Sequence, residues 1–209
     1  MRLDLHIHTK YSRDSRLSPE EIIRVAKKRG LEGIAIADHD TITGGIETLK
    51  VNEDPDFAVI AGSEVHTDRG EIIGYFLNEE INSRELYEVV DEMRAQDAII
   101  SIPHPLDIFR FSRLNPNEEI LKRVDCIEVF NSRCVLSRFN EDAKKLAEEG
   151  NFAMTAGSDA HALSEIGAAG VILSKDEDIR EAILKNEKTF GRCSPAYVHV
   201  FSTLTKIWR

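Results

Sequence analysis

The sequence predicts an α/β domain whose strands close into a barrel rather than lie in an open sheet. Three features of its 209 residues point that way. Strand-like and helix-like segments alternate along the whole length, in seven or so βα units with no linker or low-complexity stretch. No Gly-rich dinucleotide loop follows the first strand, as an open nucleotide-binding sheet would carry. Histidines and carboxylates collect at the C-terminal ends of the strands, and in a barrel those ends share one mouth. A single domain over residues 1–209 is the expectation.

The elements follow in order. "DLHIHT" (4–9) reads as a strand whose alternation puts His6 and His8 on one face, with Leu5 and Ile7 turned the other way into packing. "SPEEIIRVAKKRG" is a helix with Ser18 as N-cap, Pro19 at the first helical position, Glu21 closing a capping box and Gly30 as the stop. "GIAIAD" (33–38) is a buried strand, and "ITGGIETLK" a short helix weakened by its paired glycines. "FAVIAGSEVHT" (57–67) is a strand, with "GEIIGYFL" (70–77) its antiparallel partner across the "TDRG" turn.

The amphipathic helix "SRELYEVVDEMRAQ" then leads to the strand "AIISIPH" (98–104). The second half repeats the pattern: helix "NEEILKRV", strand "CIEVFN" (126–131), and helix "SRFNEDAKKLAEEG" ending at Gly150. "FAMTAGSDAH" (152–161) is a strand running into a loop, "AAGVILS" another strand, and "DEDIREAILKN" the last helix.

Composition narrows the function classes. Hydrophobic content of 42% with 31% charged residues belongs to a globular protein with a real core. No run approaches a membrane span, and the N-terminus enters a charged strand without a signal-peptide pattern, so no membrane partner is expected. Cys126, Cys134 and Cys193 contain no CxxC pair, which argues against a disulfide framework or a thiolate zinc site and fits the cytoplasm. A formal net charge of −10 argues against a broad surface for duplex DNA. It leaves room for a phosphorylated substrate, because divalent cations reverse the local sign at a carboxylate-rich site.

The chemistry sits at the strand ends. His6 and His8 end the first strand, Asp38, His39 and Asp40 the second, and Glu64 and His66 the third. His104 ends another, and Asp159 and His161 follow a further one. Six of the seven histidines thus converge on one mouth, each with a carboxylate close in sequence. Imidazole and carboxylate together suit Zn, Mn or Fe, and there are more such groups than one coordination shell can use. A cluster of two or three divalent ions is the expectation.

The motifs "DLHIHTKYSRDS", "IADHDT", "GSEV", "IPHP", "EVFNSR" and "GSDAH" resemble, in order and over nearly the whole chain, those of the PHP (polymerase and histidinol phosphatase) family. The resemblance implies a distorted (βα)7 TIM-like barrel holding up to three ions, and a metal-dependent phosphoesterase activity. By that resemblance His6, His8, Glu64 and Asp159 hold one ion, and Glu64 bridges to a second that also takes His104. Asp14, His39 and His161 hold a third. Glu71 stands where many relatives have a histidine and is the expected remaining ligand of the second ion, with His66 as its competitor.

Arg110 and Arg133 follow the "HP" and "EVFN" motifs, where a guanidinium would match phosphate bidentately. Asp38 and Asp40 are expected to orient ligands, and Asn131 to line the pocket. His199 lies outside every motif, and Trp208 reads as a packing or interface residue. The expected reaction is hydrolysis of a phosphate ester by a metal-bridging hydroxide, and no side chain stands out as general acid. The substrate is a nucleotide, an oligonucleotide end or a small phosphomonoester. Two rivals stand beside it: a non-catalytic, metal-stabilised module, and a C–N hydrolase of the amidohydrolase type, which would usually use a bridging lysine.

Overall fold

Each strand and helix expected from the sequence forms within residues 1–194, the part that the structure, a computed structural model, describes. His199 and Trp208 lie outside those residues. Six strands supply the parallel staves: β1 (Arg2–Ile7), β2 (Gly33–His39), β3 (Ala58–Thr67), β5 (Ile99–Ile102), β6 (Cys126–Asn131) and β7 (Ala153–Gly157). The seventh, β4 (Gly70–Tyr75), runs antiparallel between β3 and β5, because the short turn between β3 and β4 permits only a hairpin.

The closure is where the barrel is distorted. At the mouth end, β1 meets the segment after β7 through a parallel bridge between Ile7 and Ala160, with His8 N–H donating to the Ala160 carbonyl at 3.0 Å. At the foot, β1 instead pairs with β8 (Ala169–Ile172), which is antiparallel to it and carries the short β9 (Thr189–Gly191) on its outer side. The sequence reading anticipated β8 but not β9, a strand of three residues with no periodicity of its own.

Asp4 holds this seam. Its buried carboxylate accepts from Ser158 N at 2.8 Å, Ser158 Oγ at 2.5 Å, Gly167 N at 2.7 Å and His6 N at 3.3 Å. One side chain thereby ties β1 to the segments after β7 and before β8, where a regular ladder is missing. Burial raises its pKa to about 6 against the pull of those four hydrogen bonds. Gly157 lets the staves approach: a Cβ there would lie 2.2 Å from His6 Cβ.

A register shift between Asp4 and Ile7 corrects the simple alternation expected for the first strand. Leu3 and Leu5 pack inside the barrel with Ala35, Ala37, Tyr75 and Cys126, whereas Ile7 packs outside against Ile22, Ile23 and Ala26. His6 and His8 still share one side, now directly above Leu5. An extra residue of this kind re-aims side chains next to a site. The interior is therefore an apolar plug at the foot with polar groups above it.

The helices cover the outside. α1 (Pro19–Lys28) begins with the Ser18–Glu21 capping box and ends beside Gly30 at φ +73°. α2 (Thr43–Val51) follows β2. α3 (Leu86–Ala95) lays Leu86, Val89, Val90 and Met93 on the outer side of the sheet around β4 and β5. α4 (Glu118–Leu121) is a single turn capped by Asn117. α5 (Ser137–Gly150) stops at Asn151, which takes the left-handed conformation. α6 (Ile179–Leu184) buries Ala182 and Ile183. Among the described residues no helix is long and apolar enough to cross a membrane.

The seam makes a prediction. Asp4→Asn replaces one accepting oxygen with a donor facing other donors, so the variant should lose about 2–4 kcal/mol, the cost of leaving one or two buried donors unpaired. Urea denaturation checks this, and an unchanged midpoint would mean that the carboxylate does not hold the closure.

Candidate metal centre

Glu64, near the end of β3, lies at the centre of the mouth. Three buried imidazole nitrogens surround its Oε2: His6 Nε2 at 3.5 Å, His8 Nε2 at 3.6 Å and His39 Nδ1 at 3.3 Å. All three lack a hydrogen-bond partner among the described residues. Its other oxygen lies 3.0 Å from His104 Nε2. A carboxylate with imidazoles gathered on both oxygens is arranged to bridge cations.

The remaining groups fall around it. Asp159 Oδ1 lies 3.3 Å from His8 Nε2 and 3.9 Å from His6 Nε2. Asp14 Oδ2 sits between His39 Nε2 at 3.1 Å and His161 Nε2 at 3.0 Å. Four sets of ligand atoms converge within 4.8 Å: His8, Asp14, His39 and His161; His6, His8 and Glu64; Glu64, Glu71 and His104; and His39, His66 and Glu71. The nine residues expected to hold metal are all brought together in these sets or beside them, and His8 belongs to two sets at once.

Glu71 and His66 share a set with His39 but differ in their other neighbours. Buried Glu71 converges with Glu64 and His104, and Ser112 Oγ donates to its Oε2 at 2.5 Å. Half-exposed His66 reaches Glu71 Oε1 at 3.0 Å but joins no set with Glu64 or His104. Asp40 orients it from behind through a 2.9 Å bond from the His66 N–H. Asp38 accepts from Thr9 N and Oγ1 at 2.6 and 2.5 Å and supports the loop that carries Asp14.

So many ionisable groups at one place shift each other strongly. Burial works against the charged form of His6, but Glu128, Asp159 and Glu64 outweigh it and raise its pKa. His39 rises to about 9: burial opposes the rise, and Glu64 and Asp14 drive it. His8 falls to about 3, through burial and the neighbouring His161. The carboxylates of Asp14, Glu64 and Asp159 are held well below their usual range despite burial, by the imidazoles and, for Asp159, first by Arg110. The ionised acids and neutral His8 present lone pairs to a cation, whereas at His6 and His39 a cation would have to displace a proton.

Three of these residues stand on unusual backbone. Asp40 (φ +60°), His104 (φ +31°) and Asp159 (φ +55°) all take the left-handed region without being glycine. Such strain costs of order 1–3 kcal/mol per residue and persists where the surroundings over-determine it.

The two arginines occupy different places. Arg110 lies on the loop after β5, its Nη2 against Asp159 Oδ2 and 3.3 Å from Asn131 Oδ1. Its side chain is 22% exposed, and Asp107 Oδ2 lies 3.6 Å from its Nε. Arg133 is buried, with Nη1 2.6 Å from His161 Nδ1 and Nε 3.3 Å from Glu165 Oε1. Two carboxylates not singled out from the sequence prove central: Glu128, hydrogen-bonded to His6 Nδ1, and Glu165, which accepts from His161 N and Ala162 N. Glu128 left a trace in the sequence, a lone charge within the apolar strand "CIEVFN"; Glu165 left none.

The chain belongs to the PHP domain family, whose model matches residues 4–194. It is 41% identical over 182 residues to an uncharacterized protein of Methanocaldococcus jannaschii, MJ0417, covering 84% of this chain and 71% of that one. A two-domain protein of Bacteroides vulgatus containing a predicted PHP-like metal-dependent phosphoesterase superposes with a TM-score of 0.75. It is 20% identical, over 92% of this chain, and the chain spans 65% of its length. An amidohydrolase from Chromobacterium violaceum with bound sulfate and no metal superposes at 0.60, 15% identical over 97% of this chain and 96% of that one.

Metal content provides the direct check. The purified protein should take up at least two equivalents of divalent metal, and Glu64→Gln should cut that uptake, because a neutral amide is a poor bridge. Glu71→Ala should reduce occupancy of one ion and His66→Ala should not. Elemental analysis decides, and a count of one or fewer for the wild type would sink the multinuclear reading.

Proposed function

We propose that the protein is a metal-dependent phosphoesterase that hydrolyses a nucleotide, an oligonucleotide end or a small phosphomonoester at this centre. The observation that carries it is the ring of imidazole nitrogens around Glu64 that lack a hydrogen-bond partner among the described residues, with Arg110 beside them on Asp159. His6, His8, Glu64 and Asp159 would hold one ion, Glu64, His104 and Glu71 a second, and Asp14, His39 and His161 a third. Mn, Zn and Fe all suit this donor set, and the carboxylates favour the harder ions. Bound divalent ions supply Lewis acidity to a phosphoryl oxygen and lower the pKa of the attacking water.

The chain's own groups do the rest. Asp159 holds the Arg110 guanidinium in place, and its exposed side can pair with phosphoryl oxygens as charge grows on them. Arg133 is the second phosphate-binding candidate, and any such contact competes with its hold on His161 and Glu165. Exposed Lys10, Arg13 and Arg16 on the β1–α1 loop add positive charge at the rim, which favours an anionic substrate despite the net charge of −10. The amidohydrolase alternative has less support, because the group at the centre of the imidazoles is Glu64 rather than a lysine.

A panel of phosphomonoesters, nucleotides and short oligonucleotides, assayed with Mn, Zn and Fe, tests the proposal. Arg110→Ala should keep its metal and lower kcat/KM by roughly ten- to a thousandfold, as for loss of one charge-stabilising donor. No hydrolysis of any phosphoester by the metal-loaded wild type would favour the passive module, and turnover of amide substrates alone the amidohydrolase.

A further inference from the structure

Glu128 is fully engaged without belonging to any converging ligand set. It is buried on β6, one strand interval below the mouth. Its Oε1 meets His6 Nδ1 at 2.9 Å, while Oε2 accepts from His104 N at 2.8 Å and from Asn131 Nδ2 at 3.0 Å. The same Asn131 amide donates onward to Asp159 Oδ2 at 3.2 Å. One carboxylate therefore reaches ligands on β1, after β5 and, through Asn131, after β7.

We propose that Glu128 is a positioning residue that sets the ligands of the first and second ions together, by fixing the tautomer of His6 and the backbone of His104. The inference rests on the metal reading of the site. An ionised carboxylate only accepts, so the His6 Nδ1 facing it carries a proton, and Nε2 is left as the nitrogen on which a cation would take the place of a proton. At His104 the contact is with the backbone. The residue sits at φ +31°, and the N–H bond to Glu128 secures the turn that swings its ring to within 3.0 Å of Glu64 Oε1.

Glu165 provides the contrast. Its Oε2 accepts from His161 N and Ala162 N, and its Oε1 faces Arg133, which in turn contacts His161. Among the described residues it makes no hydrogen bond or ion pair with His6, His8 or His104, so its influence falls on the third ion. The two buried carboxylates divide the cluster between them.

The division is testable without turnover. Glu128→Gln keeps the shape of the side chain, but it cannot accept at all three contacts. Either an amide donor meets the His6 Nδ1–H and drives His6 to the tautomer with a proton on Nε2, or it meets the His104 N–H. Titration of metal-free protein with Zn or Mn, read by calorimetry and elemental analysis, should show affinity falling roughly ten- to a hundredfold at two positions, with the third retained. Glu165→Gln should do the reverse, weakening one position and sparing two. Glu128→Asp, which keeps the charge, should recover part of the loss; it carries the same test if the Gln variant does not fold.

Wild-type metal binding in a folded Glu128→Gln variant would overturn the inference. So would an identical loss of all ions in the Glu128 and Glu165 variants, since that would mean general loosening. A metal-loaded wild type that hydrolyses no phosphoester would defeat the proposed activity and leave this assignment standing.

Discussion

The structure depends on burying an unusual density of charge at one end of a barrel. Asp14, Glu64, Glu71, Glu128 and Asp159 are all buried at the mouth, and His6, His8 and His104 with them. Taking an ionised carboxylate out of water costs several kcal/mol even after relaxation, and a pair repays this only when geometry is good and other hydrogen bonds are satisfied. The chain meets that constraint by making every carboxylate serve more than one partner. Glu64 faces four imidazoles, Asp14 two, and Asp159 an arginine as well as histidines. Around Glu64, the imidazole nitrogens of His6, His8 and His39 that face it are left without a hydrogen-bond partner among the described residues.

The same constraint explains why the barrel is irregular. A regular seam between β1 and β7 would continue the ladder along the whole strand. Here β1 carries a register shift above Leu5, and Asp4 takes over the donors that the ladder leaves behind. The shift lets Leu5 stay in the apolar interior while His6 also turns toward the mouth. The left-handed residues at Asp40, His104 and Asp159 do similar work at the ends of β2, β5 and β7. Each turns the chain sharply at the level where a ligand must point inward. Packing and hydrogen bonds below the mouth supply the rigidity that keeps this strain in place.

Much of this was legible in the sequence, for physical reasons that differ between parts. The element order could be read because helix and strand have different periods and α1 begins with an intact capping box. The gathering of His6, His8, His39, Glu64 and His104 could be read because a barrel puts all strand C-termini at one mouth. Glu71 was expected at the site through the resemblance, and its place beside Glu64 and His104 follows from the hairpin register, in which Glu64 pairs with Ile73 and His66 with Glu71. The shift in β1 could not be read: one extra residue leaves the local pattern "DLHIHT" indistinguishable from a regular strand. β9 was hidden by its length, and sequence shows that a cation follows "EVFN" but not that Arg133 lies buried with its Nε facing Glu165, far along the chain.

The residues missed share a property. Glu128, Glu165, Ser12 and Ser112 do not end strands, so the rule that picked out the strand-end histidines passes over them. Ser12 Oγ donates to Asp14 Oδ1 at 2.8 Å and accepts from His39 N at 3.3 Å; Ser112 holds Glu71. Such partners are recognised only by what they touch, and touching is set by the three-dimensional closure rather than by period or spacing. A ligand search from sequence thus finds the atoms that would meet a cation and misses those that fix their direction. Because affinity depends on both, two chains with the same strand-end histidines can differ widely in how firmly they hold metal. In this chain the direction of the first and second sets rests on one strand-interior carboxylate, which makes the barrel's sixth strand as much a part of the centre as the first.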